Sequence, residues 1–299
     1  MKRTALILIT AVALLGMVGS AGAHLPEGVT FVAWNWPSTH LPTLDGDISE
    51  WNVLPADFWI DLDDTWGGAS AGNEPVLDLA DFNFRFAIGW NDELDRIYFA
   101  QEWIDDYFQR SDAFAGGCCA GNDKIEMGID ADHSGTENFG ADPKYGGTQS
   151  AHWGMPEIAP RSWMWMWMSE TTWADQEPYT CCPDAFQLDG GHGLETTLTN
   201  EWYSVAWDDF DTADPNAGIL HDFQAGEIFG WSGSWIDNDA GESDEELSAS
   251  YLTWTAGGPN MNDNATDYSD VLLLEPDFDR LPTAVENDSW GHIKASLAR

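Results

Sequence analysis

An alternating pattern between positions 82 and 103 is the feature that most constrains the fold. Apolar side chains occupy every second position in Phe82–Trp90, the same period continues through Ile97, Phe99, Gln101 and Trp103, and Asn91–Asp92 lies between the two runs. A period of two is that of a β-strand with one buried face, and two such runs joined by a turn predict a β-hairpin.

The same pattern recurs along the chain. Lys124–Asp130 places Ile125, Met127 and Ile129 on one face of a third predicted strand. Helical periodicity is weak except in the stretch 289–297, and Gly, Pro, Asn and Asp separate the apolar runs. Short strands punctuated in this way predict an all-β fold, an antiparallel β-sandwich of jelly-roll or immunoglobulin-like type with long loop inserts. Further strands are predicted at Ser162–Met168, Glu201–Trp207, Glu227–Ile236, Ser250–Trp254 and Val271–Leu274.

The first residues have the pattern of a secretion signal. A charged start, Met1–Arg3, precedes the apolar run Ala5–Val18 and the small residues Ser20–Ala23, which predicts a signal peptide over 1–23 and a mature chain from His24. The apolar run of about 14 residues is short for a membrane span. We therefore expect a secreted protein, extracellular or periplasmic, with no membrane partner. No linker or repeat divides residues 24–299, so one domain is expected.

The charge of the chain restricts its partners. Acidic residues number 52 against 11 Lys and Arg, a net charge of −41, and such a chain repels nucleic acid and anionic lipid. Disorder is not expected, because 18 Trp and 14 Phe supply apolar area for a core. The carboxylates either form a solvated acidic surface or converge in part on calcium, a cation that prefers oxygen ligands.

The four cysteines form two adjacent pairs, Cys118-Cys119 and Cys181-Cys182. An exported chain with an even number of cysteines favours disulfides. Adjacent cysteines rarely bridge each other because the geometry is strained. Two parallel links between the pairs are therefore expected, and a four-thiolate metal site, which lacks the usual C-x-x-C spacing, is the alternative.

Four segments in order resemble the family 9-like carbohydrate-binding modules, a group related in fold to DOMON domains. The resemblance implies a β-sandwich with a core at about 40–276 and a short tail at 277–299, a structural calcium in many members and sugar binding in some. Long inserts at 106–122 and 135–160 depart from the family pattern. The segments are Leu44–Trp51 (D-G-x-x-x-E-W), the hairpin Phe82–Asp106 with its D-D turn, Asn122–Asp132 (D-x-I-E-x-x-I-D-x-D), and Gly226–Asp239 followed by Val271–Glu275.

Two groups of residues are candidate calcium ligands. The first has side-chain oxygens at near-alternate positions on a chain leaving a strand, which can fold around one ion without the spacing of an EF-hand loop. A second candidate is Asp237 with Asp239, at the end of a predicted strand. The first group consists of Asp130, Asp132, Ser134 and Glu137.

Residues 162–169 read S-W-M-W-M-W-M-S. In a strand, Trp163, Trp165 and Trp167 share one face and the methionines share the other. Either the indoles form an exposed row that stacks on sugar rings or on another protein chain, or the strand is buried on both faces beneath the 135–160 insert. Trp153 and Trp235 are further candidate ligand-binding residues.

No catalytic motif is present, and with 52 carboxylates no spacing singles out an acid and a nucleophile, so we expect no enzyme. Two hypotheses about a bound cofactor remain as minor alternatives. An amino-terminal His24 with a second histidine could hold copper in a histidine brace, and methionine with Lys or His could hold b-type haem. The candidate second histidines for copper are His40, His152, His192 and His221.

These features predict a secreted, non-catalytic glycan-binding module that uses aromatic stacking and calcium-held loops. The main alternative is a self-associating structural subunit of an extracellular layer or filament, since no catalytic domain accompanies the predicted sandwich. The sequons at Asn264 and Asn287 allow that the protein carries sugars instead of binding them.

Overall fold

Where the computed structural model describes the chain, it is rich in β-strand, and helix is limited to short 3-10 turns. Among the described residues, no helix combines the length and apolar character that crossing a membrane requires. The predicted signal peptide, most of both inserts and the predicted helix at 289–297 lie outside the described residues. Those residues are 29–67, 79–109, 123–133, 135, 153–154, 165–166, 174, 176–182, 185–209, 214, 216–237, 251–254 and 265–281.

Within this part of the chain there are sixteen strands and four 3-10 helices. The helices are Ile48–Val53, Ala56–Phe58, Leu62–Asp64 and Ala265–Asp267. The strands are β1 Thr30–Asn35, β2 Trp59–Asp61, β3 Trp66–Gly67, β4 Phe82–Asn91, β5 Arg96–Asp105, β6 Lys124–Asp130, β7 Trp153–Gly154, β8 Trp165–Met166, β9 Thr180–Cys181, β10 Phe186–Asp189, β11 Thr196–Ser204, β12 Trp207–Asp209, β13 Ile219–Leu220, β14 Ile228–Asp237, β15 Tyr251–Trp254 and β16 Ser269–Leu273.

Fourteen strands form one sheet whose main path runs β10-β11-β5-β4-β1-β16-β14-β6-β7-β8. Strands β2, β9 and β15 pair beside this path, β3 pairs with β15, and β12 and β13 form a separate ribbon. Pairing is antiparallel except at β1, which lies parallel to both β4 and β16. This arrangement confirms the predicted all-β, sandwich-like fold, and β1 joins its two halves.

The inner faces of the two halves meet through aromatic rings. Phe84 of β4 stacks on Trp235 of β14 with ring centroids 3.9 Å apart, and Phe86 stacks on Trp231 at 5.1 Å. All four side chains are buried. The alternation in β4 therefore places its phenylalanines in the core, and contacts of this kind add to the gain from burying apolar area.

A second apolar layer covers the back of β1, β4, β5 and β11. It includes Trp34, Trp36, Trp51, Tyr98 and Tyr203, all buried. Gly89 packs directly beneath this layer. A Cβ at this position would lie 2.5 Å from the Trp36 indole nitrogen, so a larger residue would displace the indole. Residues 36–54 thus pack onto the outside of the sheet, whereas Ile60 and Leu62 belong to the inner core.

The observed strands differ from the predicted ones mainly in length. Strand β11 ends at Ser204, where a prediction continued to Trp207, and Trp207 begins β12. The predicted strand 162–168 is described only at Trp165–Met166.

Candidate ligand and metal sites

Backbone pairing places three tryptophan positions in one line across six strands. Each position is the register partner of the next, from β3 through β15, β14, β6 and β7 to β8. We call this line the cross-strand row. It consists of Trp66, Trp254, Ser234, Glu126, Gly154 and Trp165.

The cross-strand row lies on the back of the sheet. Trp235 and Met127 are core residues, and their strand neighbours Ser234 and Glu126 occupy positions of the opposite face, because successive residues of a strand alternate. Ser234 is 2% exposed. The tryptophan positions are thus separated by serine, glutamate and glycine positions on a face distinct from the aromatic core.

The structure separates the tryptophans that the sequence grouped together. Trp165 lies in the cross-strand row. Trp153 is instead the register partner of Met127 and Met166, and Met127 is a core residue. Trp235 is completely buried and stacked on Phe84, so it presents no surface to a ligand. Trp163 and Trp167 lie outside the described residues.

No sequence pattern identified Trp66 and Trp254 as candidate ligand-binding residues. They are direct partners in the pairing of β3 with β15, although nearly the whole sandwich separates them along the chain. Each follows a threonine in a short β-prone stretch, but no spacing relates them. Only the pairing of the two strands brings these positions together.

Three aspartates form a buried cluster at one end of the sandwich. Asp105 ends β5, Asp123 directly precedes β6, and Asp237 ends β14. One carboxylate oxygen from each lies within 4.8 Å of the others, and none of the three residues is more than 3% exposed. Strand pairing therefore converges three acidic groups that are far apart in sequence.

Hydrogen bonds hold the cluster in place. Trp103 Nε1 donates to Asp105 Oδ2 at 3.2 Å and the Tyr107 amide donates to Oδ1 at 2.8 Å, while the Gln109 amide donates to the Asp123 carboxylate. Burial raises the pKa of Asp105 above its usual range, although its hydrogen bonds with Trp103, Tyr107 and Asp123 oppose the shift. Adjacent buried carboxylates must share protons or a cation to limit their repulsion.

The donor set suits calcium. Its ligands are oxygens at about 2.3 to 2.6 Å, so two ligands on opposite sides of one ion are about 5 Å apart, and the three carboxylates are close enough together to reach one ion. Gln109 is 1% exposed, and neither its side-chain oxygen nor its nitrogen has a hydrogen-bond partner within the described part of the chain. Its amide oxygen is a further potential ligand of the same chemical type.

The predicted calcium ligands are divided by the structure. Asp237 joins the buried cluster, whereas Asp130 is buried elsewhere and accepts a 2.8 Å hydrogen bond from the Gly135 amide. Asp132 is exposed, and within the described residues these two form no three-ligand group. Ser134, Glu137 and Asp239 lie outside the described residues, so a metal in that loop stays a prediction.

The predicted links between the two cysteine pairs stay a prediction. The sulfur atoms of Cys181 and Cys182 lie in contact where β9 ends. Cys182 has φ 75°, so the backbone leaves the extended conformation where β9 ends and the two side chains can meet. Cys118 and Cys119 lie outside the described residues.

His221, one of the candidate copper ligands, is engaged by carboxylates. Its Nδ1 lies 2.6 Å from Asp208 Oδ1 and its Nε2 lies 3.1 Å from Glu227 Oε1. When both ring nitrogens donate to these carboxylates, neither offers a lone pair to a metal. His24 and His152 are outside the described residues.

Comparison with known proteins identifies similar solved structures only. No family model matches the chain, and no curated protein matches it. A family 9 carbohydrate-binding module from Caldicellulosiruptor kristjanssonii in complex with cellotriose is 12% identical, with a TM-score of 0.46 over 85% of this chain and 97% of that one. A glucose complex of a family 9 module from the same organism is 13% identical, with a TM-score of 0.48 over 83% and 96%. Both TM-scores lie below 0.5, so the similarity does not transfer a ligand to this protein.

Proposed function

We propose that this protein is a secreted, non-catalytic glycan-binding module that binds its ligand along the cross-strand row and is stabilised by calcium. The observation that carries the proposal is the registration of Trp66, Trp254 and Trp165 on the face opposite the core. Indoles offer flat apolar surfaces and polarised C–H to π contacts, which suit the faces of sugar rings.

The composition of the row supports an extended ligand. Four strand spacings separate positions 254 and 165, which corresponds to roughly 19 Å. Because Ser234, between them, is 2% exposed, a ligand that reaches both positions must be an oligosaccharide that passes outside the residues covering Ser234.

Calcium has a defined role in this proposal. Asp123 and Asp237 adjoin β6 and β14, the strands that carry Glu126 and Ser234 of the row, and Asp105 links them to β5. An ion held by these carboxylates would neutralise their repulsion and fasten the strand ends. Calcium therefore acts on the stability of the scaffold and through it on the shape of the row.

Affinity electrophoresis in gels containing soluble cellulose, xylan or mannan tests the proposal. Trp165→Ala and Trp254→Ala should each abolish retention by the polysaccharide that retards the wild type, with a melting temperature within a few degrees of it. Phe278→Ala is the matched control, because Phe278 is an aromatic residue 63% exposed and outside the row. Unchanged retention of folded Trp165→Ala and Trp254→Ala variants would exclude the row as the site.

The same purified protein also tests the alternative that the chain is a structural subunit of an extracellular layer or filament. A self-assembling subunit should sediment as ordered polymers when calcium is added and should show no retention by any of the polysaccharides. A glycan-binding module should remain a small particle and be retained. Metal analysis and a visible absorption spectrum of the purified protein test the copper and haem alternatives directly.

A further inference from the structure

An open cleft of about 290 Å³ lies on the back of β4 and β5, where the outer apolar layer ends. Register partners Arg85 and Glu102 form its floor together with Asn83 and Ile104. We call it the Arg85 cleft. The residues that matter for binding are Asp61, Leu79, Asn83, Arg85, Glu102 and Ile104.

Two contacts restrict the side chain of Arg85. Its guanidinium carbon lies 4.5 Å from the centroid of the Trp59 ring, and its Nε lies 2.7 Å from Glu102 Oε2. Stacking on one side and an ion pair on the other leave the terminal amino groups of the guanidinium for a ligand. An arginine ordered in this way loses little entropy when it forms further hydrogen bonds.

The charge of the cleft selects against anions. Asp61, Asp63 and Glu102 supply three carboxylates against the single guanidinium of Arg85, and the protein as a whole carries a net charge of −41. An anionic ligand would meet repulsion from both. A neutral ligand with several hydroxyls can instead donate to the carboxylates and accept from Arg85 and from the Asn83 amide.

Apolar side chains border these polar groups. Leu79 is 52% exposed and Ile104 is 37% exposed, and both line the cleft. Aliphatic surface beside donors and acceptors matches the C–H faces and hydroxyl edges of a sugar ring. The volume is at the small end of the range for ligand pockets, so one sugar unit fits better than a longer oligosaccharide.

We propose that the Arg85 cleft is a second binding site, specific for a single neutral sugar unit or a polyol of that size. It lies on β4 and β5, whereas the cross-strand row lies on β3, β15, β14, β6, β7 and β8. Arg85 and Glu102 hold hydroxyls, and Leu79 and Ile104 contact the ring. Two sites on one protein would bind a polysaccharide with greater avidity than either alone.

Methyl NMR of the full mature chain tests this site. Glucose, galactose, mannose and xylose are titrated separately while the methyl signals of Leu79 and Ile104 are followed, and methylammonium is titrated as a cationic probe. At least one sugar should shift both residues in a saturable manner, and methylammonium should not. Saturable shifts with methylammonium alone would overturn the proposal and identify an amine site.

Two variants that leave the scaffold intact complete the test. Arg85→Lys retains the charge and the aliphatic stem but loses the planar fork, and Asn83→Ala removes one amide. Each should weaken the sugar affinity about tenfold, the loss of one or two hydrogen bonds. Arg96→Lys is the matched control, because Arg96 also stacks on an aromatic ring, 3.9 Å from the Tyr203 centroid, outside the cleft.

The result of this test does not depend on whether the cross-strand row binds a ligand. The Trp165→Ala and Trp254→Ala variants should keep the Leu79 and Ile104 shifts, even if polysaccharide retention is lost. Absence of shifts with all four sugars, or equal affinity in Arg85→Lys, Asn83→Ala and the wild type, would exclude the Arg85 cleft as a sugar site whatever the row binds.

Discussion

The indole Nε1 of Trp51 donates a 2.7 Å hydrogen bond to Oε1 of Glu201, a residue 150 positions later in the chain. The other carboxylate oxygen, Oε2, accepts from the Gly46 amide at 3.1 Å and from the Asp45 amide at 3.4 Å. Glu201 is fully buried in the middle of β11. One carboxylate therefore fastens the segment 45–51 to the back of the sheet, which gives a structural reason for the D-G-x-x-x-E-W pattern.

Gly46→Ala should destabilise the protein more than Gly226→Ala. Both glycines have left-handed backbones, at φ +82° and +85°, but a Cβ at Gly46 would lie 2.4 Å from the Phe186 carbonyl carbon, whereas nothing lies within 4 Å of one at Gly226. Gly226→Ala should cost about 1 to 2 kcal/mol for the backbone alone. Urea unfolding of both variants measures the difference, and equal losses would contradict the clash.

Stability should fall as pH rises through neutrality because of Glu201. Burial raises its pKa from 4.5 to about 7 and Glu50 adds to the shift, while the Trp51, Asp45 and Gly46 hydrogen bonds oppose it. The folded state therefore binds this proton more tightly than the unfolded state, and the resulting stability is complete below pH 4.5 and lost as pH passes through about 7. The expected loss is about 1 to 3 kcal/mol.

Glu201→Gln isolates this effect. Its free energy of unfolding should fall less between pH 4.5 and pH 8 than that of the wild type, since the titrating group is gone. Glu195→Gln, an exposed change one residue before the start of β11, should keep the wild-type pH dependence. Parallel pH profiles for all three proteins would rule out Glu201 as the source.

Calcium should raise the melting temperature, because an ion bound only by the folded state stabilises it by mass action. Asp105→Asn and Asp237→Asn should remove most of this gain if the buried cluster is the site, and Asp132→Asn should remove it if the 130–137 loop is the site. Magnesium should substitute poorly, since it requires a tighter octahedral shell. Equal stabilisation by calcium, magnesium and sodium chloride would indicate screening of the acidic surface instead.

His221 should titrate above its ordinary pKa. Burial lowers the pKa, but the hydrogen bonds and charges of Asp208 and Glu227 outweigh burial and raise it above 6.5. The contribution to stability is therefore complete below pH 6.5 and lost as pH rises through the folded-state pKa. An NMR titration of the ring protons measures the shift.

Asp208→Asn should lower the His221 pKa relative to the wild type, because it replaces a charged acceptor 2.6 Å from Nδ1 with a neutral amide. Asp209→Asn makes the same chemical change at the adjacent position and serves as the control. A His221 pKa that is equal in the two variants would show that the Asp208 contact does not set it.

The alternation in the sequence was sufficient to predict the hairpin of β4 and β5, because the period of two directly reports which side chains enter a core. The predicted ends of strands were less accurate, since a strand ends where its partner ends. Strand β11 ends at Ser204, although the sequence predicted that it continues to Trp207. The sequence did not predict that the sulfur atoms of Cys181 and Cys182 lie in contact, which depends on the left-handed backbone of Cys182 at the end of β9.

The sequence by itself determined the all-β class, the net negative charge and the supply of aromatic residues, because composition and local period are properties of neighbouring residues. Only the tertiary structure decided that Asp237 meets Asp105 and Asp123, that Trp235 is buried, and that Trp66, Trp254 and Trp165 share one row. These relationships depend on which strands pair and in which register. Register is fixed by the packing of whole faces against each other, a property that no single stretch of sequence contains.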